Sequence, residues 1–224
     1  TSVTNEEGTP FVFPATTRVI DAEAFGGARL TDIEFGEGLQ FIGAAAFSDN
    51  RNLKRAVIPT GTESIDEYAF RNCNLIEFTL PESVKKIGRG ILVGNDNFRA
   101  ITVSRDLSVS DMFSKEENGA IVRDVPLNFR EATVLKGEIG DKQFFGITSL
   151  QNVTVTQGVT AIGKSAFEGC KELLNVDVPS TVKNVGDRAF ALCVNLLSVR
   201  FDKENGSLET MGKEIFSGNV SLGY

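Results

Sequence analysis

Two periods run through the apolar positions of this chain. The shorter is two residues long. Leu173, Val176 and Val178 point one way and Asn175 and Asp177 the other, and Leu53, Ala56 and Ile58 repeat the arrangement. Such alternation predicts short β-strands with one face inward. The longer period is about 23 residues. A phenylalanine, usually behind an alanine, recurs as AEAF (Phe25), AAAF (Phe47), EYAF (Phe70), KSAF (Phe167) and DRAF (Phe190), with looser copies at Phe144 and Phe216. The intervals are 22, 23, 23 and 23 residues for 25→47, 47→70, 144→167 and 167→190, and Leu92 takes the aromatic slot 22 residues after Phe70. A fixed period in this range predicts a solenoid, in which each coil buries its apolar face only against its neighbours.

Each coil reads as V-x-x-I-(G/D)-x-x-A-F-x-x-(C/N)-x-x-L-x-x-V-x-V-P, best seen at 159–179. The L-x-x-V-x-V strands lie one period apart and run the same way, so the sheet is parallel with about 4.8 Å between rungs. Pro59, Pro81 and Pro179 end these strands, because proline has no N–H for the ladder. The Gly/Asp slot (Gly43, Gly88, Gly163, Gly186, Gly212, Asp21, Asp66) predicts a turn tolerant of left-handed backbone, leading into one short helical turn that ends near the aromatic. The Cys/Asn slot closes a corner. The copies at Phe25 and Phe70 are one residue shorter between aromatic and leucine (Leu30, Leu75). The aromatic slots predict a buried spine: Phe25, Phe47, Phe70, Leu92, Phe144, Phe167, Phe190 and Phe216.

Residues 104–135 break the template. Asn118-Gly119 is a strong signal for a type I′ hairpin turn. With arms at Val109–Ser114 and Ala120–Val125 it predicts a β-hairpin inserted near 109–125, with the repeat resuming at Ala132. The chain then divides into a first sub-array (1–103), a degenerate repeat with the hairpin (104–135) and a second sub-array (136–224), all within one solenoid domain. Phe11-Val12-Phe13-Pro14 resembles a strand end whose earlier part is missing, and 221–224 fall where a next strand would begin. The ends suggest a piece of a longer array, or a very economical N-terminal cap.

Composition narrows the function. Seventeen Phe against two Tyr and no Trp marks the rings as interior filler. A net charge of −7 argues against nucleic acid and anionic membranes, and no apolar run is long enough to span a bilayer. There is no histidine, which removes the commonest general base and metal ligand. Cys73, Cys170 and Cys193 all stand three residues after the repeat aromatic and read as core, free rather than bridged. Asp202–Gly206 offers calcium-compatible oxygens without ligand spacing. No metal and no cofactor is expected, and no catalytic residue is assigned.

The outward face of the parallel sheet is the expected site. One column there is Asp32, Arg55, Glu77, Ala100, Asn152, Asn175 and Ser198. The other is Glu34, Val57, Thr79, Thr102, Thr154, Asp177 and Arg200. Cross-strand pairing alone accounts for individual residues, while the face as a whole is the place for a partner.

The V-x-x-I-G-x-x-A-F-x-x-C-x-x-L-x-x-V-x-V-P signature, clearest at 159–179 and 182–201, resembles the BspA-like leucine-rich repeat proteins over nearly the whole chain. The resemblance implies a β-rich leucine-rich-repeat arc with short helical turns, a right-handed coil with one parallel sheet on its concave face. It also implies a secreted or surface-attached bacterial setting and a non-enzymatic role in adhesion, with host or bacterial surface proteins as partners. A glycan-binding module and a structural spacer in a longer surface protein are the alternatives.

Overall fold

The computed structural model describes residues 9–202 and 208–223. Most of the calcium-compatible loop, residues 203–206, lies outside the described residues. The chain is a parallel β-solenoid of about 23 residues per coil. It divides into two compact units, one of residues up to Arg99 with Asp111–Asn128, the other of Ala100–Ser110 with Phe129 onward.

In the first unit each coil contributes two short strands. These are β1 (Phe11–Val12) and β2 (Val19–Ile20), then β3 (Asp32–Glu34) and β4 (Phe41–Ile42), β5 (Arg55–Val57) and β6 (Ser64–Ile65), and β7 (Glu77–Leu80) and β8 (Lys86–Ile87). β1, β3 and β5 form the expected parallel ladder, with Ile33 opposite Ala56. A second parallel ladder, β2-β4-β6-β8, runs through the V-x-x-I segment, in addition to the single sheet expected. Two residues per strand are too short for their alternation to stand out in the sequence.

The second unit begins with β9 (Ala100–Val103). The degenerate repeat follows in sequence as α1 (Val109–Met112) and the antiparallel pair β10 (Ser114–Glu117) and β11 (Ala120–Arg123), and this pair belongs to the first unit. Their turn is Asn118-Gly119, with φ of 51° and 75°, as a type I′ turn requires. The first hairpin arm is Ser114–Glu117 and not the expected Val109–Ser114, because Val109 and Met112 are buried at helical spacing and Phe113 is buried with them, and the second arm ends at Arg123 short of Val125. β12 (Glu131–Ile139) and β13 (Asn152–Ile162) are long enough to carry both ladders, across register shifts near Val134 and Gly137. β14 (Asn175–Val178), β15 (Asn184–Val185), β16 (Ser198–Phe201) and β17 (Thr210–Met211) complete the two ladders in parallel order β9-β12-β13-β14-β16 and β13-β15-β17.

The segment around each aromatic is a run of β-turns, not a helical turn. Its N–H groups alternate between two destinations. Ser165, Phe167 and Gly169 donate to Asp187, Ala189 and Ala191 on the next coil (2.8–2.9 Å), while Glu168 and Cys170 donate three residues back, to Ser165 and Phe167. A helix is prevented by left-handed residues two before and two after the ring, here Ser165 (φ 54°) and Gly169 (φ 77°). The Gly/Asp slot is therefore not the left-handed position the sequence suggested. Its glycines serve close approach instead: a Cβ at Gly43 or Gly186 would lie 2.5 Å from the backbone nitrogen of Ala22 or Lys164 on the preceding coil.

The rings stack. Phe25, Phe47 and Phe70 follow one another at 5.6 and 5.3 Å with planes within 10°. In the second unit Phe144, Phe167, Phe190 and Phe216 stack at 5.2, 5.3 and 5.9 Å. Phe47, Phe70, Leu92, Phe144, Phe167 and Phe190 are fully buried, whereas Phe25 and Phe216 are half-buried. Burying each ring is worth about 1.5–3 kcal/mol.

Beside this column runs a second one, made by the Cys/Asn slot. Five of these side chains reach the carbonyl of the preceding coil's aromatic. Cys73, Cys170 and Cys193 donate their S–H to Phe47, Phe144 and Phe167 O (3.1–3.2 Å), and Asn50 and Asn95 donate from Nδ2 to Phe25 and Phe70 O (2.8 and 2.9 Å). At Asn50 and Asn95 the asparagine answers a short loop in the preceding coil, whereas Asn219 follows a full-length coil and accepts instead from Cys193 N–H at 3.0 Å. Phe25 and Phe70 are the coils lacking one residue before leucine, which leaves the Leu30 and Leu75 N–H without a partner in its own coil. Asn50 and Asn95 accept those two donors at Oδ1, both at 2.9 Å. In full-length coils the leucine bonds within its own coil, as Leu53 does to Asn50 O and Leu173 to Cys170 O, and a cysteine then suffices on the next. A buried unsatisfied N–H costs about 1–3 kcal/mol, so the deletion and the asparagine go together.

Candidate binding face

Strand alternation, one residue in and one out, sets the face. Ile33, Ala56, Phe78, Ile101, Ala132, Val153 and Val176 are buried, and their neighbours on either side point to solvent. In the first unit Asp32 stands opposite Arg55, and Glu34 lies between Val12 and Val57. Glu34, Arg55, Val57, Glu77 and Thr79 are exposed and Asp32 is half-buried. In the second unit Asn152, Thr154, Asn175, Asp177 and Arg200 are exposed, with Thr102 and Ser198 half-buried. Asn152 stands opposite Asn175, Asn175 opposite Ser198, and Asp177 opposite Arg200.

Two residues that belong to these columns escaped the sequence reading. Glu131 sits between Ala100 and Asn152, and Thr133 between Thr102 and Thr154. They were hidden because the aromatic-to-aromatic interval across the hairpin is 52 residues, which obscures the extra strand. The alternation Ala132-Thr133-Val134 was the available signal.

The chemistry of the face differs between the units. In the first, Asp32, Glu34, Glu37 and Arg55 edge a groove of about 530 Å³ whose walls include Pro10, Phe35, Val57 and Pro59. In the second, amides and hydroxyls dominate. Ser198 Oγ donates to Asn175 Oδ1 at 2.7 Å, and Arg200 lies 3.9 Å from Asp177 with both side chains mostly exposed. That pair contributes at most about 1 kcal/mol. A groove of about 310 Å³ lies there, lined by Gln157, Asp177, Pro179, Arg200, Phe201 and Asp202.

Away from the face, one ion-pair network crosses three coils. Arg188 holds Glu168 through two bonds of 2.7 and 3.2 Å and Glu214 through one of 2.8 Å. Arg188 keeps the Glu168 carboxyl below the usual carboxylate range. The network ties successive coils together and faces no groove. The cysteines are free and buried. Burial pushes the Cys73 and Cys193 thiols up to about 12 and that of Cys170 well above its ordinary value, so none is a ready nucleophile. Among the described residues no group of three or more His, Cys, Asp or Glu is placed to hold a metal ion, and no helix is long and apolar enough to cross a membrane.

Parallel ladders, leucine at the strand entry and one coil per repeat define a leucine-rich-repeat solenoid. The model of the BspA-type leucine-rich repeat region matches residues 5–118 and 135–224 in six copies, and the chain belongs to that family. A search of curated proteins finds no match. Among solved structures the chain is similar to a leucine-rich repeat protein from Bacteroides ovatus (20% identity, 98% of this chain and 81% of that one, TM-score 0.41). It is also similar to the leucine-rich repeat protein of T. pallidum (20%, 98% and 81%, TM-score 0.45) and to a leucine-rich cell surface protein from Faecalibacterium prausnitzii (18%, 92% and 68%, TM-score 0.39).

Proposed function

We propose that this chain is a non-enzymatic protein-binding module of adhesion type, using the outward face of its parallel sheet. The setting is the cell surface or its exterior, as the family resemblance implies, and the partners are host or bacterial surface proteins. The observation that carries the reading is the face itself. The ladder locks its columns in register, almost every position is solvent-facing, and the grooves beside Arg55 and Val57 and beside Asp177 and Arg200 are concave enough to seat a side chain. Against catalysis stand the lack of histidine and the buried, proton-retaining thiols.

The test immobilises the chain beside two variants. One carries Glu34→Lys, Val57→Lys and Thr154→Lys on the face. The other carries Glu67→Lys and Lys85→Glu, off the face. Each is offered purified extracellular matrix proteins and intact bacteria. The expected result is binding that the face variant loses and the other keeps. Equal binding by all three, or none by any, would refute the proposal. Capture of free polysaccharide but not protein would favour a glycan-binding module instead.

A further inference from the structure

The two grooves on the sheet face occupy the same place in the repeat. Counting from the strand-entry leucine, the groove of the first unit uses Asp32 and Arg55 at the second position, Glu34 and Val57 at the fourth, Phe35 at the fifth, Pro59 at the sixth and Glu37 at the seventh. The groove of the second unit uses Asp177 and Arg200 at the fourth, Phe201 at the fifth, Pro179 and Asp202 at the sixth and Gln157 at the seventh. A recurrence of slots follows from the repeat. A carboxylate at the fourth position of both, Glu34 and Asp177, does not, since these side chains point to solvent and the core does not constrain them.

The remaining charged positions differ, but both grooves have an acidic balance beside an apolar wall. In the first groove three carboxylates (Asp32, Glu34, Glu37) meet one guanidinium (Arg55), with Val57, Pro59 and Phe35 alongside. In the second two carboxylates (Asp177, Asp202) meet one guanidinium (Arg200), with Pro179 and Phe201 alongside. Carboxylates at a concave surface strengthen the local field and attract cations. The apolar walls suit the methylene stem of lysine or arginine, which can lie along them while the charged head reaches an acid.

Resting on the face-binding reading, we propose that both grooves take basic side chains of an extended polypeptide, so that the partner is a lysine- or arginine-bearing segment rather than an acidic or neutral one. Each groove is a weak subsite of the same chemistry. A segment carrying several basic residues engages whichever groove it meets, and a partner with repeated basic segments gains avidity from the two. The ladder holds both grooves rigid, so little ordering cost falls on the protein side.

The probe is a fluorescently labelled decapeptide of alternating lysine and valine, with a glutamate–valine counterpart as control. Fluorescence anisotropy reads binding to the whole chain, to Glu34→Gln with Glu37→Gln, to Asp177→Asn with Asp202→Asn, and to all four together. The lysine peptide is expected to bind and the glutamate peptide not. Each pair should weaken binding by about three- to tenfold and the quadruple variant by more, with a tenfold loss between low and high salt. A fifth variant, Glu63→Gln with Glu67→Gln, neutralises acids away from the grooves and should leave binding unchanged. Because all these residues are at least partly exposed, circular dichroism should show every variant folded. Equal loss in the off-face variant reduces the effect to the overall negative charge and overturns the inference. So does wild-type affinity in the quadruple variant. If the quadruple variant still holds a protein partner that the Glu34→Lys, Val57→Lys, Thr154→Lys variant loses, the basic-segment inference falls and the face-binding proposal stands.

Discussion

Asn50 offers the sharpest test of how these coils hold together. It is fully buried, donates to Phe25 O and Phe47 O (2.8 Å each) and accepts from Leu30 N–H at 2.9 Å. Asn50→Ala orphans the Leu30 donor, at about 1–3 kcal/mol, and takes one of two donors from the Phe25 carbonyl, which keeps Ala28 N–H at 3.2 Å, at about 0.5–1.5 kcal/mol, so the expected loss is about 1.5–4.5 kcal/mol. Asn50→Cys installs the residue other coils use. It keeps a donor for Phe25 O but offers Leu30 no acceptor, so about 1–3 kcal/mol is expected. Inserting one residue between Ala28 and Arg29 in the Asn50→Cys background restores the full-length loop. Leu30 can then bond within its own coil as Leu173 does, and most of the loss should return. Urea unfolding followed by circular dichroism gives the midpoints. Because repeat arrays can unfold in parts, hydrogen exchange at the Leu30 amide is the decisive reading. It should be about 5- to 140-fold faster in Asn50→Cys, since 1.4 kcal/mol is a factor of ten. Unchanged exchange and an unchanged midpoint would show that the short loop and the asparagine are unrelated.

Other consequences can be checked on the same footing. Phe167 is fully buried between Phe144 and Phe190, so Phe167→Ala should cost about 3–5 kcal/mol in urea unfolding, and a loss below about 1 would deny the ring column its role. Gly186→Ala forces a Cβ to within 2.5 Å of Lys164 N, so it should destabilise by at least about 1–3 kcal/mol, whereas helix propensity alone predicts a gain. The thiols fix a pH dependence. Their folded pKa values are raised by burial, so the stabilisation is complete below the unfolded value of about 8.5 and falls as pH rises toward 12. A Cys73→Ala, Cys193→Ala chain should lose less stability than wild type between pH 8 and 11, and native wild type should react with a thiol reagent only as it unfolds.

The recurrence of Ala-Phe told of coils, and V-x-V-P told of strands, because each coil must bury the same residues against copies of itself. Loop 104–135 was partly legible. Asn118-Gly119 demands a type I′ turn in any context, yet Val109–Met112 became helical because Val109, Met112 and Phe113 had to reach the interior together. The left-handed residues were not legible at all. Ser165, Arg188 and Leu192 adopt positive φ against their own preference, since the alternating turns place half of their N–H groups on the next coil. The sheet-face columns were readable from alternation, but the grooves were not.

What the amino-acid order settled alone is therefore the identity of inward and outward positions, since a period of two and a period of 23 can be satisfied together only by stacked coils. What the tertiary structure decided is everything that depends on a neighbour one coil away. That includes which glycines lie against backbone, why Asn50 and Asn95 replace cysteine, and how Glu34, Glu37 and Arg55 come to share a hollow. Those partners lie about 20 or more residues apart in sequence for a few ångströms in space, and only the stacking supplies that distance.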